Sequence, residues 1–120
     1  MIDNIRDTMA ASVTVMSLEE VLMAIEKKHM TIIDVRRDEE VVNGIIPTSI
    51  HMPLSVIQEA PEKVKQFNGP VLFYCKAGGR ALKAAELAQQ QGVEALYYKG
   101  SFDEFSTQCK DKVELPQRPQ

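Results

Sequence analysis

Cysteine is scarce in this sequence of 120 residues: Cys75 and Cys109 are the whole complement. Two are too few for a disulfide framework, and neither belongs to a C-x-x-C pair, which excludes a stapled secreted scaffold. A strong excess of one charge is also missing. The formal net charge is -3, which gives no reason to expect nucleic acid or an anionic membrane as a partner. No apolar run approaches transmembrane length, and there are no repeats or low-complexity blocks. The one stretch with a signal-peptide flavour, Met9 to Met16 after Arg6, is barely long enough for an h-region. Asp3 and Asp7 stand where a basic n-region would be. These absences leave the expectation of a cytoplasmic protein with a single domain around one core.

What is present is organised around Val71-Leu72-Phe73-Tyr74-Cys75-Lys76-Ala77-Gly78-Gly79-Arg80-Ala81. Val71 to Tyr74 is short, apolar and rich in β-formers, which suits a strand buried on both faces. Leu82, Ala85, Leu87 and Ala88 then recur near the helical period, so a helix starts close to Arg80. Cys75 therefore falls at the carboxyl end of a buried strand, before a helix N-terminus. In an open α/β sheet, that is where ligands bind.

The rest of the chain alternates in the same way. Residues 1–12 read as a flexible lead-in, residues 13–110 as the domain and residues 111–120 as an extended tail. Val13 to Met16 is a first strand, and Ser17 with Glu20 forms a capping box for an amphipathic helix over 18–28. Thr31 to Val35 is the next strand. A short helix from Asp38 to Asn43 is expected to stop at Gly44 as its C′ residue. Ser49 to Met52 reads as a small strand ended by Pro53, and Ser55 as the cap of a short helix through Glu59, continued by residues 62–67. After the Cys75 strand and its helix, which ends at Gly92, come a strand over Ala95 to Tyr98 and a last helix from Phe102 to Lys110. The expected fold is an α/β open sheet of about five mainly parallel strands, with helices on both faces and right-handed crossovers.

The loop has a clear chemical logic. A thiolate, not a thiol, is the nucleophile, and a helix N-terminus with neighbouring cations is the setting that favours it. Lys76 and Arg80 supply cations, while Gly78 and Gly79 let successive N–H groups turn toward the sulfur as an anion-binding nest. A lone buried cysteine is commonly a small core residue. Here the glycine pair, the two cations and the strand–loop–helix setting favour the nucleophile. Cys109, on a late helix without such a loop, reads as a spectator. His51 has no second metal-type residue spaced with it and reads as structural or exposed, and His29 as a helix-end cation. Asp34 and Arg36 stand at another strand's carboxyl end, either on the rim of the same mouth or as an ion pair holding loops. Arg37 to Glu40 reads as a solvated face.

Taken in order, Ile32-Ile33-Asp34-Val35-Arg36, Gly44-Ile45-Ile46-Pro47-Thr48-Ser49-Ile50-His51-Met52-Pro53-Leu54, Cys75-Lys76-Ala77-Gly78-Gly79-Arg80 and Gly100-Ser101-Phe102-Asp103-Glu104-Phe105 resemble a single-domain rhodanese over roughly residues 13–110. Three positions depart from the family pattern: Ile45 where histidine is frequent, Thr48 where glycine is common and Phe105 where tryptophan is usual. All lie outside the six-residue loop and bear on partner recognition more than on chemistry.

The resemblance implies a sulfurtransferase. Cys75 would take the outer sulfur of a small anionic donor such as thiosulfate as a persulfide, then yield it to cyanide, a thiol or a protein thiol. The backbone of Lys76, Ala77, Gly78, Gly79 and Arg80 would hold the anion, and no cofactor or metal is called for. Alternatives remain. A cysteine-loop phosphatase or arsenate reductase needs C-x5-R to wrap an oxyanion, and Cys75 to Arg80 is C-x4-R. A persulfide carrier or regulatory module would keep the fold without the turnover. A redox-sensing thiol would want a resolving cysteine close by.

Overall fold

The structure, a computed structural model, describes residues 13–116. The expected lead-in over 1–12 and the tail residues 117–120 lie outside the described residues. The elements in chain order are β1 (Thr14–Met16), α1 (Leu18–Lys27), β2 (Thr31–Asp34), α2 (Asp38–Val41), β3 (Ile50–His51), α3 (Leu54–Glu59), a 3₁₀ segment (Pro61–Gln66), β4 (Val71–Tyr74), α4 (Gly79–Gln90), β5 (Ala95–Tyr98), α5 (Ser101–Gln108) and a 3₁₀ turn (Lys110–Lys112). The five strands form one sheet in the order β1-β5-β4-β2-β3, and every pairing is parallel. This is the open α/β sheet expected.

β4 lies in the middle, and its four residues are all buried, as an apolar strand covered on both faces must be. Alternate side chains enter two cores. Val71, Phe73 and Cys75 pack with Ile33, Val35, Ile57 and the alanines of α4. Leu72 and Tyr74 pack on the other face with Ile32, Ile46, Tyr98 and Phe105. The edge strands β1 and β3 are three and two residues long, too short to offer an extended unpaired ladder.

α4 meets the sheet through Ala81, Ala84, Ala85 and Ala88, all fully buried. Small side chains let the helix axis come close to β4, which brings its first turn over the end of that strand. At α1 the capping box is complete: the Ser17 hydroxyl accepts from the Glu20 N–H at 3.2 Å, and the Glu20 carboxylate accepts from the Ser17 N–H at 2.8 Å.

Several boundaries differ from the sequence reading. α2 ends at Val41, before Asn43, so Gly44 is not its C′ residue. The Gly44 N–H bonds the Val41 carbonyl at 3.1 Å, while Arg36 Nη2 takes the Gly44 carbonyl at 2.7 Å, and the chain turns inward there. Gly44 is needed for close approach: its φ is +151°, and a Cβ would lie 2.6 Å from Val113 Cγ1. Ser55 does not cap α3, which starts two residues earlier than such a cap would place it, at Leu54 behind Pro53. The Pro53 carbonyl accepts from Val56 at 2.9 Å, and the ring's fixed φ of -57° directs the chain into the turn without a side-chain cap. The last helix begins at Ser101 and ends at Gln108. The segment after Asp111 does not simply run on: after the 3₁₀ turn, Glu114 pairs antiparallel with Ile45, with N–H···O distances of 2.7 and 3.0 Å.

Candidate active site

The carboxyl ends of β2, β4 and β5 lie side by side, and the loops that leave them meet at Cys75. The Cys75 side chain continues the alternation of β4 toward α4 and is buried, with 1% of the residue exposed. Its sulfur accepts two backbone hydrogen bonds, from the Gly78 N–H at 3.0 Å and the Ala81 N–H at 3.3 Å. Ala81 lies in the first turn of α4, whose N–H groups have no partner within the helix, so the sulfur occupies the place of an anion at a helix N-terminus. Of the amides expected from Lys76 to Arg80 only that of Gly78 bonds the sulfur, and the second comes from Ala81, one residue beyond the predicted loop.

The two glycines are not equivalent. Gly78 has φ +110°, and a Cβ there would sit 2.6 Å from the Lys99 carbonyl oxygen, so this position admits no side chain. Gly79 has open space around it and begins α4. Ala77 is exposed on the outside of the loop.

The two cations expected to attract a donor are both engaged. Lys76 Nζ lies 3.2 Å from Asp103 Oδ1 in an exposed pair. Arg80 makes a bidentate ion pair with Glu40, with distances of 2.7 and 2.9 Å. Glu40 is therefore not part of the solvated face expected over Arg37 to Glu40. Its side chain is 18% exposed, and it also accepts from the Arg37 N–H at 2.9 Å. The Arg80 guanidinium holds the Glu40 carboxyl at about 2, well under its ordinary 4.5, despite the opposing effect of burial. In return Glu40 raises Arg80 above its usual value.

Asp34 and Arg36 are not on the rim. Asp34 is fully buried and Arg36 nearly so, joined by Nε and Nη2 contacts of 2.7–3.1 Å. Arg36 also covers the Phe102 ring at 4.2 Å from its centroid. Burial alone would depress the guanidinium, but the hydrogen bonds and charge of Asp34 outweigh it and raise it. The pair ties β2 to the Gly44 turn, the second of the two roles open to it from sequence. His51 Nε2 lies 2.7 Å from the Arg36 carbonyl, a structural contact.

Beside the loop lies a cavity of about 340 Å³ lined by Val35, Arg37, Pro53, Leu54, Ser55, Gln58 and Arg80. It is large enough for a small anion or the end of a thiol.

Ser101 belongs to the Gly100–Phe105 stretch that carries the resemblance, but its place beside Cys75 is not evident from the sequence. It is fully buried, and its Oγ accepts from the Cys75 N–H at 3.1 Å. The signal for it was topological, since a residue just past β5 must lie next to one just past β4 once those strands pair.

The chain matches the rhodanese-like domain over residues 17–108. It belongs to the rhodanese-like family. It is 36% identical to a rhodanese domain-containing protein of Drosophila melanogaster over 93 residues, covering 62% of this chain and 80% of that one. It is 31% identical over 111 residues to the thiosulfate:glutathione sulfurtransferase of Homo sapiens, covering 81% of this chain and 96% of that one. A solved Staphylococcus saprophyticus protein superposes with a TM-score of 0.71 at 30% identity, over 85% of this chain and 99% of that one. Relatives at this level support a sulfurtransferase-type activity for this chain. Among the described residues no helix is long and apolar enough to cross a membrane.

Proposed function

We propose that this protein is a thiosulfate-type sulfurtransferase, with residues 13–110 as its catalytic domain and Cys75 as its nucleophile. The observation that carries the reading is the Cys75 sulfur at a helix N-terminus, receiving N–H groups from Gly78 and Ala81 at 3.0 and 3.3 Å. Donors already aimed at the sulfur stabilise a thiolate without reorganisation. They suit a persulfide as well, whose terminal sulfur is also anionic.

The cycle has two displacements. The Cys75 thiolate attacks the outer sulfur of thiosulfate; the new S–S bond forms as the donor S–S bond breaks, and sulfite leaves with the electron pair. A thiolate acceptor then attacks the terminal sulfur of the persulfide, and the Cys75 thiolate is released unchanged. The small loop favours a sulfur atom over a phosphate, and the similarity to a human enzyme named for thiosulfate and glutathione points the same way. Two free cysteines, Cys75 and Cys109, suit a reducing compartment such as the cytoplasm.

The test is sulfur loading and turnover. Incubation with thiosulfate should add one sulfur to Cys75 by peptide mass spectrometry, and thiosulfate:cyanide transfer should vanish in Cys75→Ser. Unchanged turnover in that variant would overturn the mechanism. Loading without turnover, across a panel of thiol acceptors, would identify a persulfide carrier instead.

A further inference from the structure

Ser101 has a backbone φ of +53°, the left-handed region that strains any residue with a Cβ. Its side chain is fully buried, and its hydroxyl makes a specific set of contacts. Oγ donates to the Tyr98 carbonyl at 2.7 Å, which engages the single hydroxyl proton and leaves a lone pair for the Cys75 N–H at 3.1 Å. The same oxygen lies 3.9 Å from the Cys75 sulfur. The next two residues complete a clamp: Phe102 N–H donates to the Cys75 carbonyl at 2.9 Å, and Asp103 N–H to the Lys76 carbonyl at 3.0 Å. The beginning of α5 therefore grips the backbone of Cys75 at both its N–H and its carbonyl. Strain at a buried residue persists where the surroundings require that conformation, and here the requirement converges on the reactive residue.

We propose that Ser101 is a positioning residue for the Cys75 nucleophile. By accepting the Cys75 N–H it fixes the direction in which the sulfur leaves the backbone, and so keeps the sulfur on the Gly78 and Ala81 amides. Without the hydroxyl, the Cys75 N–H loses its partner, the cysteine shifts and those two donors fit the anion less well. The inference rests on Cys75 as the reacting thiolate and not on the identity of the sulfur donor. Arg80, which ends the loop, and Glu40, which pairs with it, are left intact by changes at Ser101.

Two substitutions separate positioning from structural support. Ser101→Gly removes the hydroxyl and relieves the left-handed strain, whereas Ser101→Ala removes the hydroxyl and keeps the strain. Thermal stability should therefore differ, with Ser101→Gly the more stable. Thiolate formation should not differ between them. It is read from the pH dependence of thiolate ultraviolet absorbance, each protein taken against the same protein carrying Cys75→Ser. Both variants should titrate at higher pH than wild type, with the thiolate-to-thiol ratio at neutral pH reduced about fivefold to tenfold, the scale of one weakened charge-assisted hydrogen bond. If Ser101→Gly keeps the wild-type profile, or if the shift follows thermal stability so that Ser101→Ala alone is affected, the proposal is overturned. Should Ser101→Ala fail to fold, the Ser101→Gly profile decides by itself. Failure of the wild type to load sulfur from thiosulfate would overturn the proposed function and leave this measurement intact.

Discussion

Arg80 and Glu40 form a closed pair, with Arg80 Nη1 2.7 Å from Glu40 Oε1 and Nη2 2.9 Å from Oε2. Arg80 ends the cysteine loop, while Glu40 comes from the short helix after β2, so the loop's arginine is already neutralised by its neighbour. A doubly charged donor arriving at this side of the mouth meets a dipole where sequence promised a free cation. Glu40→Gln should therefore lower KM for thiosulfate with little change in kcat. A single partly exposed charge is worth about 1 kcal/mol, which corresponds to about fivefold in KM. Arg80→Ala should raise KM, and the two effects should not add when combined, since each removes a member of the same pair. Steady-state kinetics over donor concentration checks this. Wild-type KM in Glu40→Gln would show that Arg80 takes no part in holding the donor.

The same pair gives a signed pH dependence. Glu40 sits at about 2 in the folded protein against an ordinary value of 4.5, a depressed carboxyl. Its stabilisation is complete above the unfolded value, and is lost as pH falls from about 4.5 toward 2. Wild type should therefore melt above Glu40→Gln near neutral pH, and the gap should close on acidification through that window. Melting curves of both proteins across pH are sufficient. A gap that stays constant down to pH 2 would locate the stabilising interaction elsewhere.

The adjacent glycines should separate cleanly. Gly78→Ala forces a side chain into φ +110° and onto the Lys99 carbonyl at 2.6 Å. A left-handed residue costs about 1–2 kcal/mol before any clash, so a loss of about 3 kcal/mol with disordered donors at the sulfur is expected. Gly79→Ala meets open space at the start of α4. It should be neutral or gain up to about 1 kcal/mol by reducing the freedom of the unfolded chain. Denaturant unfolding measures both. Equal losses would mean that the loop needs two flexible residues and not one.

Much of this architecture was legible in the residues because local signals agreed with one another. The apolar run of β4, the alanine face of α4 and the Ser17–Glu20 box each reflect interactions within a few residues of chain. Cys75 and its helix were visible for that reason. The roles of Glu40, Asp103 and Ser101 were not, since each depends on a partner that pairing of the sheet brings into reach: Glu40 reaches Arg80 forty residues away in the chain, and Ser101 reaches Cys75 across twenty-six. Charge pattern alone made Glu40 look like surface and Arg80 look free. The short elements went astray for a related reason. α2 and α3 are bounded by tertiary contacts and by proline, while the sequence reading looked for a glycine stop and a serine cap.

Arg36 provides a final contrast with Arg80. Its guanidinium is turned into the protein, onto Asp34, the Gly44 carbonyl and the face of Phe102, and not toward the sulfur. Arg36→Met keeps much of the side-chain volume but leaves the Asp34 carboxylate buried without its cation. Removing one member of a buried pair typically costs about 3–5 kcal/mol. Urea unfolding should show a loss of that order, while KM for thiosulfate, measured where the variant is folded, should stay within about twofold of wild type, because no donor contact is lost. A large KM change with little loss of stability would put Arg36 on the rim of the site after all. The buried geometry requires the opposite pattern: Arg36 supports the fold, through Asp34 and the Gly44 turn that it anchors.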